Sequence, residues 1–339
     1  MYKINLLTRD GATIAFDAEP EETLLAAAER ANIYPPSSCR QGGCGVCRVT
    51  AVSGDITLDA YSEAALSESA RAAGETLLCC AHAQSDVTLH APYDQQAVAF
   101  APEPARRATL VALEPAGASA MRLQLQYQDD PEHGRAAQFL AGQFAELELP
   151  GAGVKRAYSI ASTPNWDGAL EFLVRLQPQG AFSTYLRERA APGDELIVHG
   201  PKGQFTLDDA SLAPRWFVCG GTGLAPALSM LRQMAEFADA RACRLFFGVN
   251  RVEEVFARDA IDALQAALPQ LSVTLCVWKP ESDWRGFTGT PAEAMAQALA
   301  ATTEQPDIYV CGPPALIDAV TRAAAGGSGR VFCEQFAPA

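Results

Sequence analysis

The chain has 339 residues, of which 49% are hydrophobic and 19% are charged, and its formal net charge is −14. This length exceeds one ordinary domain, and the composition supplies enough apolar residues for two or three cores. The acidic balance argues against nucleic acid and anionic membranes as partners, because phosphate binding needs clustered Lys and Arg.

The first residues, MYKINLLTRDG, lack the cationic and then apolar pattern of a signal peptide. No apolar run reaches the length of about 18 residues that a membrane-spanning helix needs. The sequence therefore predicts a cytoplasmic chain without a membrane segment, and we expect it to act as a monomer. Ten cysteines in a reducing compartment favour metal or cofactor ligation over disulfides.

Residues 1–95 predict short strands in YKINLL, ATIAF and DVTLH, and one helix in TLLAAAERA, around a cysteine loop. Cys39, Cys44, Cys47 and the distant Cys79 have the spacing C-x4-C-x2-C…C, which is typical of a plant-type 2Fe-2S cluster. Glycines between the first three cysteines allow backbone N–H groups to approach the sulfur atoms. A zinc site usually has two closely spaced cysteine pairs, so zinc is the weaker interpretation.

The neighbouring Cys79 and Cys80 compete for the position of fourth ligand. The segment resembles the plant-type ferredoxins, which have a β-grasp fold and in which a fixed gap separates the last ligand from a Ser-Asp-apolar strand. In CCAHAQSDVTL, counting back six residues from Ser85 gives Cys79. The resemblance thus implies that Cys79 is the ligand and that Cys80 is a bystander.

Residues 96–105 lie in a proline-rich stretch and predict a linker. In residues 106–210, the runs MRLQLQYQ, FAELELP and LEFLVRLQ alternate with strand period, and one helical stretch, FSTYLRERA, interrupts them. This pattern predicts a small antiparallel β-barrel. Residues 211–339 alternate between strand and helix patterns and predict an α/β domain with a doubly wound parallel sheet. The whole chain is therefore predicted to be a multidomain α+β protein.

The stretch CGGTGLAPALSML follows a predicted strand and opens a predicted helix. Gly221 and Gly223 match the dinucleotide-binding pattern G-x-G-x-x-G, whereas Pro226 occupies the place of the third glycine. The second strand of this domain ends in FFGVNR, without the acidic residue that would bind a ribose. The fingerprint is therefore only partly met.

Five short motifs occur in a fixed order: RAYSIAS, QGAFSTYL, GGTGLAP, YVCGPP and EQF. Together they resemble the ferredoxin–NADP reductase superfamily. That resemblance implies that Arg156 meets the FAD diphosphate, Tyr158 packs on the isoalloxazine and Ser159 bonds near its N5. It also implies a flavin site that includes Ala157 and a diphosphate cradle formed by Gly180, Ala181, Phe182 and Ser183.

The same resemblance implies a nicotinamide site on the third segment. Its implied cofactor-binding residues are Gly221, Thr222, Gly223, Pro226, Gly248, Cys311, Gly312 and Pro313. Thr222, Cys311 and Glu334, together with Ser159, are implied to border the place where nicotinamide meets flavin, and Phe336 is implied to cover the ring. Glu253 and Glu254, beside Arg251, should repel the 2′-phosphate of NADPH, so we expect NADH to be preferred.

Taken as a whole, the chain resembles the reductase components of bacterial multicomponent oxygenases, first the soluble methane monooxygenase type and next the benzoate and toluate dioxygenase type. The resemblance implies an oxidoreductase that passes electrons from NADH to FAD, then to the 2Fe-2S cluster and then to a terminal oxygenase, since a flavin can link two-electron and one-electron carriers. We expect the partner to be a soluble di-iron hydrocarbon monooxygenase. The alternatives are a Rieske dioxygenase partner, a free-standing flavin reductase and a cluster-based redox sensor.

Overall fold

The computed structural model describes residues 1–37, 40, 42–43, 45–63, 65–101, 104–281, 283–325 and 329–335. Three predicted site residues, Cys39, Cys44 and Phe336, lie outside the described residues. The chain divides into two compact units, Met1–Glu103 and Pro104–Ala339.

The first unit is a mixed sheet with a helix packed on it. Its elements are β1 (Tyr2–Leu7), β2 (Thr13–Ala18), α1 (Leu24–Arg30), β3 (Arg48–Ser53), β4 (Ile56–Leu58), α2 (Glu68–Ala72), β5 (Glu75–Leu77), β6 (Ala81–Ala83) and β7 (Val87–His90). The main sheet has the order β2-β1-β7-β3-β5, with β1 parallel to β7, while β4 pairs with β6. Helix α1 begins after Thr23, whose hydroxyl accepts the Ala26 N–H, and its apolar face is buried. This is the predicted β-grasp arrangement.

The second unit begins with an antiparallel sheet. Its elements are β8 (Ala105–Ala116), β9 (Ala120–Tyr127), β10 (Phe144–Leu149), β11 (Val154–Ser159), β12 (Ala169–Arg175), α3 (Ala181–Glu188) and β13 (Glu195–Lys202). The strand order is β11-β10-β13-β8-β9-β12. The two edge strands meet at an isolated bridge between Ile160 and Phe172, and the Ala161 N–H donates to Glu171 O at 2.7 Å. The strands therefore form an open six-stranded sheet whose edges meet only at this bridge, and no continuous ladder closes the predicted barrel.

A parallel sheet forms the rest of the second unit. Its elements are β14 (Arg215–Gly220), α4 (Leu224–Glu236), β15 (Cys243–Val249), α5 (Arg258–Ala267), β16 (Leu271–Val277), β17 (Phe287–Thr288), α6 (Pro291–Ala300), β18 (Asp307–Gly312), α7 (Pro314–Ala324) and β19 (Val331–Gln335). The order β17-β16-β15-β14-β18-β19 reverses direction between β14 and β18. Ligands of such sheets bind at the carboxyl edge beside this reversal, so the fold places Gly220 and Gly312 at the binding crevice.

One apolar cluster joins the two sheets of the second unit. Ala141, Leu173 and Phe205 from the antiparallel part belong to the same buried cluster as Leu228 and Tyr309 from the parallel part. This continuity explains why residues on both sides of the predicted boundary at 210/211 fold as one compact unit. None of the helices in the described ranges has both the length and the apolar content that crossing a membrane requires.

Gly142 lies where the antiparallel part of the second unit packs against helix α4. Its φ is +102°, and a Cβ there would lie 2.1 Å from Phe205 O and 2.3 Å from Met230 Cε. Gly151 also has a positive φ, of +73°, but nothing lies within 4 Å of its Cβ position. Substitutions at these two glycines therefore distinguish the effect of steric overlap from that of backbone strain.

We predict that Gly142→Ala destabilises the second unit more than Gly151→Ala does, by about a further 1–3 kcal/mol from overpacking. Both substitutions share the cost of a non-glycine residue at positive φ. Urea denaturation followed by tryptophan fluorescence measures the difference, because all four tryptophans lie in the second unit. Equal losses of stability would show that the packing around Gly142 can rearrange to accommodate a methyl group.

Candidate functional site

The predicted flavin-binding residues Arg156–Ser159 lie in β11 at the edge of the antiparallel sheet. Arg156 and Ala157 are exposed, and Arg156 Nη1 donates to Lys155 O at 2.8 Å. Ser159 is only 2% exposed, and its Oγ has no hydrogen-bond partner among the described residues. A buried hydroxyl without a partner costs free energy, so this position fits a residue that bonds a bound cofactor.

Tyr158 packs against the first turn of α3. Its ring centroid lies 5.3 Å from that of Phe182, which is buried, and burial raises the pKa of the Tyr158 phenol. Gly180 precedes α3, and no side chain of the described chain caps the N-terminus of this helix. Uncapped N–H groups at a helix N-terminus favour anions such as a diphosphate. Ser183 Oγ accepts the Gln177 N–H at 2.9 Å, so the Ser183 side chain shapes the loop that leads into the helix.

The glycine-rich turn after β14 lies directly against the end of β18. Gly221 has a φ of +54°, and the turn Gly221–Gly223 leads into α4. A Cβ at Gly223 would lie 2.2 Å from Cys311 O, so only glycine fits there. Thr222 directly precedes this contact in the chain. Pro226 is the third residue of α4, where the missing N–H removes no intrahelical hydrogen bond.

Cys311 and Glu334 are opposite each other in the paired strands β18 and β19. They are 1% and 6% exposed, and burial raises the pKa of Glu334 to about 8. Burial, followed by the charge of Glu334, raises the pKa of the Cys311 thiol. At neutral pH both side chains therefore hold their protons, and the site presents a neutral carboxyl and a neutral thiol.

Glu334 also approaches the end of the flavin-side sheet. A Cβ at Gly203 would lie 3.7 Å from Glu334 Oε2 and 2.9 Å from Phe144 Cδ1. Phe144 is paired with Ser159 between β10 and β11. The structure thus connects Ser159, through Phe144 and Gly203, with Glu334, and brings the four residues predicted to border the reaction site to one edge of the unit.

The remaining predicted nucleotide-site residues have visible packing roles. A Cβ at Gly248 would lie 2.4 Å from Pro291 Cδ, so the absence of a side chain lets α6 pack on β15. Pro313 precedes α7 and lies beside Gly220, where a Cβ would be 3.1 Å from Pro313 Cδ. Gly312 is buried at the end of β18. The binding roles of these three residues stay predictions.

The structure has two features at the ends of β15 and β16 that the sequence patterns did not predict, a contact of Glu254 and the exposed side chain of Trp278. Glu254 Oε2 accepts the Asn250 N–H at 3.1 Å, which brings a carboxylate to the end of the second strand of the parallel sheet. Trp278 is 54% exposed directly after β16, and Lys279 Nζ lies 4.4 Å from its ring centroid. The only sequence signal for Trp278 was its place after the strand LSVTLCV, at the edge where nucleotides bind.

In the first unit, the described cysteines of the predicted cluster site are buried side by side. Cys47 Sγ lies 3.4 Å from Cys79 Sγ, and the Gly42 N–H donates to Cys79 Sγ at 3.3 Å. Cys79 Sγ lies 3.6 Å from Cys80 Sγ, which in turn lies 3.8 Å from Ala60 O. Two adjacent sulfurs with a backbone N–H donor to one of them fit the thiolates of an iron–sulfur site.

Gly42 is required for the close packing of this loop. Its φ is +68°, and a Cβ would lie 2.7 Å from both Cys80 Sγ and Tyr61 Cβ. Within the described ranges, no group of three or more His, Cys, Asp and Glu side chains forms a metal site, and Cys39 and Cys44 lie outside those ranges. The described residues of the site therefore supply two sulfur atoms and a loop that has no room for a side chain at Gly42.

Three protein families match the chain in the predicted order. The family described as a 2Fe-2S iron-sulfur cluster binding domain matches residues 7–84. The oxidoreductase FAD-binding domain family matches residues 110–207, and the oxidoreductase NAD-binding domain family matches residues 217–322. These matches confirm the predicted cofactors, a 2Fe-2S cluster, FAD and NAD, and the predicted fold classes.

Curated relatives match nearly the whole chain. The methane monooxygenase component C of Methylosinus trichosporium is 35% identical over 82% of this chain and 81% of its own. The reductase component of propane 2-monooxygenase from Mycolicibacterium goodii is 32% identical, with 94% and 91% covered. The electron transfer component of anthranilate 1,2-dioxygenase from Acinetobacter baylyi is 33% identical, with 94% and 92% covered.

Two solved structures also match the entire chain. The Amycolatopsis cytochrome P450 reductase GcoB has a TM-score of 0.77 and 27% identity, with 100% of this chain and 99% of that chain covered. The ferredoxin reductase in carbazole 1,9a-dioxygenase has a TM-score of 0.71 and 26% identity, with 99% of both chains covered.

Substitution tests the choice between Cys79 and Cys80. We predict that Cys79→Ser abolishes the visible iron–sulfur absorption of the purified chain while FAD stays bound, because Cys79 is the sulfur beside Cys47 that receives the Gly42 N–H. Cys80→Ser is the matched control and should keep the absorption. Loss of the cluster only in Cys80→Ser would reverse the assignment.

The raised pKa of Glu334 predicts a pH-dependent stability. Its ordinary pKa is 4.5 and its pKa in the fold is about 8, so between these values the folded chain holds a proton that the unfolded chain has released. Its contribution to the free energy of unfolding is therefore full below pH 4.5 and is lost as the pH rises towards 8. Glu334→Gln cannot titrate, so its urea midpoint should rise relative to that of the parent chain from pH 5 to pH 8. A constant difference would show that Glu334 is ionised in the folded chain at neutral pH.

Proposed function

Because the chain belongs to the family of oxygenase reductases that join a 2Fe-2S ferredoxin segment to FAD- and NAD-binding segments, we propose that it serves a soluble di-iron hydrocarbon monooxygenase. It is an NADH oxidoreductase that drives electron transfer to an oxygenase. The proposed site rests on one observation. The Ser159 hydroxyl is buried and has no hydrogen-bond partner among the described residues, and Glu334, which is paired with Cys311, approaches the same end of the flavin-side sheet.

The residues of the second unit would hold FAD and NADH on either side of this site. The chemistry that bound FAD would supply there is acceptance of a hydride from NADH and release of its electrons one at a time. Ser159 bonds the flavin and Tyr158 packs on its ring. The uncapped N-terminus of α3 binds its diphosphate, and the Gly221–Gly223 turn binds the diphosphate of NADH. Buried neutral side chains exclude water from the place where the hydride moves.

Cys39, Cys44, Cys47 and Cys79 are the proposed ligands of the 2Fe-2S cluster. The contact between Cys47 Sγ and Cys79 Sγ at 3.4 Å supports the second pair. The spacing in the sequence supports the first pair. Cys80 has its own contact with Ala60 O, which supports its exclusion from the ligand set.

A Rieske dioxygenase is the second candidate partner. The anthranilate dioxygenase component is 33% identical to this chain, close to the 35% of the methane monooxygenase component C. The monooxygenase proposal rests on that higher identity and on the stretches LLCCAHAQSDVTL, GAFSTYL and DIYVCGPP. We further propose that the chain is a cytoplasmic monomer. Its proposed domain bounds are 1–95 for the ferredoxin, 96–105 for the linker, 106–210 for the FAD domain and 211–339 for the NAD domain.

Steady-state assays test the function with NADH as donor. The FAD- and cluster-loaded chain should reduce cytochrome c with NADH, and Cys79→Ser should lose most of this activity while it still reduces ferricyanide from the flavin. NADH should have a kcat/KM at least about tenfold above that of NADPH, because like charges at the 2′-phosphate site are costly. Arg251 Nη1 lies 3.7 Å from Glu253 Oε1, so its charge is already countered by that carboxylate. Absence of NADH turnover would leave a redox sensor as the better description.

Reconstitution then distinguishes the partner classes. The chain is combined with a purified di-iron hydroxylase in one assay and with a purified Rieske oxygenase in another, and product formed per NADH is measured. Coupled turnover only with the Rieske enzyme would overturn the monooxygenase proposal and keep the reductase function. Equal uncoupled NADH oxidation with both would show that neither is the partner.

A further inference from the structure

Helix α4 is hydrogen-bonded to the segment that directly follows β11. Ser229 is fully buried, and its Oγ donates to Ser162 O at 2.6 Å. Arg232, one turn later on the same face, donates from Nη1 to Ala161 O at 2.7 Å. Two consecutive backbone carbonyls of the flavin-side segment are therefore bound by two side chains of the nucleotide-side helix.

The contact continues along the helix and is reinforced by charge. Thr163 Oγ1 donates to Glu236 Oε1 at 2.5 Å, so Ser229, Arg232 and Glu236 form one stripe, which we name the α4 seam. Arg232 Nη1 also lies 3.2 Å from Glu171 Oε1, whose carboxyl side chain is 12% exposed. A charge-assisted hydrogen bond at such a half-buried place is stronger than one between neutral groups.

The two ends of this connection lie at the two halves of the proposed reaction site. Ala161 comes two residues after Ser159, the buried hydroxyl on the flavin side. Helix α4 begins at Leu224, directly after the Gly221–Gly223 turn that packs against Cys311. A helix is stiff along its axis, so the α4 seam sets the distance between the nucleotide-binding turn and Ser159.

We propose that Ser229 and Arg232 are positioning residues for hydride transfer, which fix the nucleotide-binding turn against the flavin-binding strand. This role rests on the NADH-to-FAD transfer proposed above. Neither side chain lies in the turn or in β11, so each acts through the backbone that it holds. Hydride transfer depends steeply on the separation of donor and acceptor, whereas the nucleotide diphosphate is bound entirely on the nucleotide side of this junction.

Rapid mixing of the FAD-loaded full chain with NADH in the absence of oxygen measures hydride transfer and NADH binding separately. The test variants are Ser229→Ala and Arg232→Gln, and Arg232→Lys is the conservative variant. Gln233→Ala is the matched control, because Gln233 lies on a different face of α4 and lines a surface cavity with Phe237 and Asp239. The limiting rate of flavin bleaching, the apparent Kd for NADH and the FAD content are measured for each.

We expect the limiting rate of flavin reduction to fall about tenfold or more in Ser229→Ala and Arg232→Gln, since a displacement of about 1 Å can cost about a hundredfold. The Kd for NADH should stay within about threefold, because uniform binding is unchanged. Arg232→Lys should recover part of the rate, and Gln233→Ala should match the parent chain. FAD content should be equal in all.

An unchanged limiting rate in Ser229→Ala, or a loss that appears only in the Kd for NADH, would overturn the positioning role. If Arg232→Gln fails to retain FAD, Ser229→Ala decides, because it removes one oxygen atom and adds no bulk. A parent chain that NADH does not reduce would contradict the proposed function itself. A reduced parent chain with equally fast variants would contradict only the positioning role.

Discussion

The architecture of the second unit depends on one backbone contact, between the glycine turn after β14 and the carbonyl of Cys311. A side-chain carbon at Gly223 would lie 2.2 Å from that oxygen, so the absence of a side chain is what allows the contact. The contact joins the first crossover of the parallel sheet to the end of β18 at the point where the strand order reverses. Because β19 is paired with β18, Glu334 is carried to the same place.

Three titratable side chains of the proposed reaction site are neutral at neutral pH. Burial raises the pKa of Tyr158, Cys311 and Glu334, so the phenol, the thiol and the carboxyl all hold their protons. A place of low dielectric strengthens every dipole that acts inside it. The cost is a buried carboxyl, and that cost is reduced because the group is neutral in the fold.

Contacts between the two halves of the second unit unite domains that the sequence separates. The predicted boundary at 210/211 marks a change from antiparallel to parallel strands, and the structure has this change. One apolar cluster nevertheless runs through both halves, and the α4 seam bonds the helix of one to the strand of the other. A hydride must cross between the two proposed cofactor sites, so efficient transfer requires this junction to be rigid.

The sequence by itself determined the main elements of each segment and the cofactor classes, because both follow from local patterns. Cysteine spacing, glycine turns after strands and the periods of the strands and helices act over a few residues, and the families matched confirm the cofactors that they predict. The resemblance singled out Cys79 and Glu334 as site residues, but only the tertiary structure decided that the Cys79 sulfur lies beside that of Cys47, that Glu334 faces Cys311 and that Ser229 reaches Ser162. These contacts join residues far apart in the chain. They depend on strand order and packing, which no local pattern encodes.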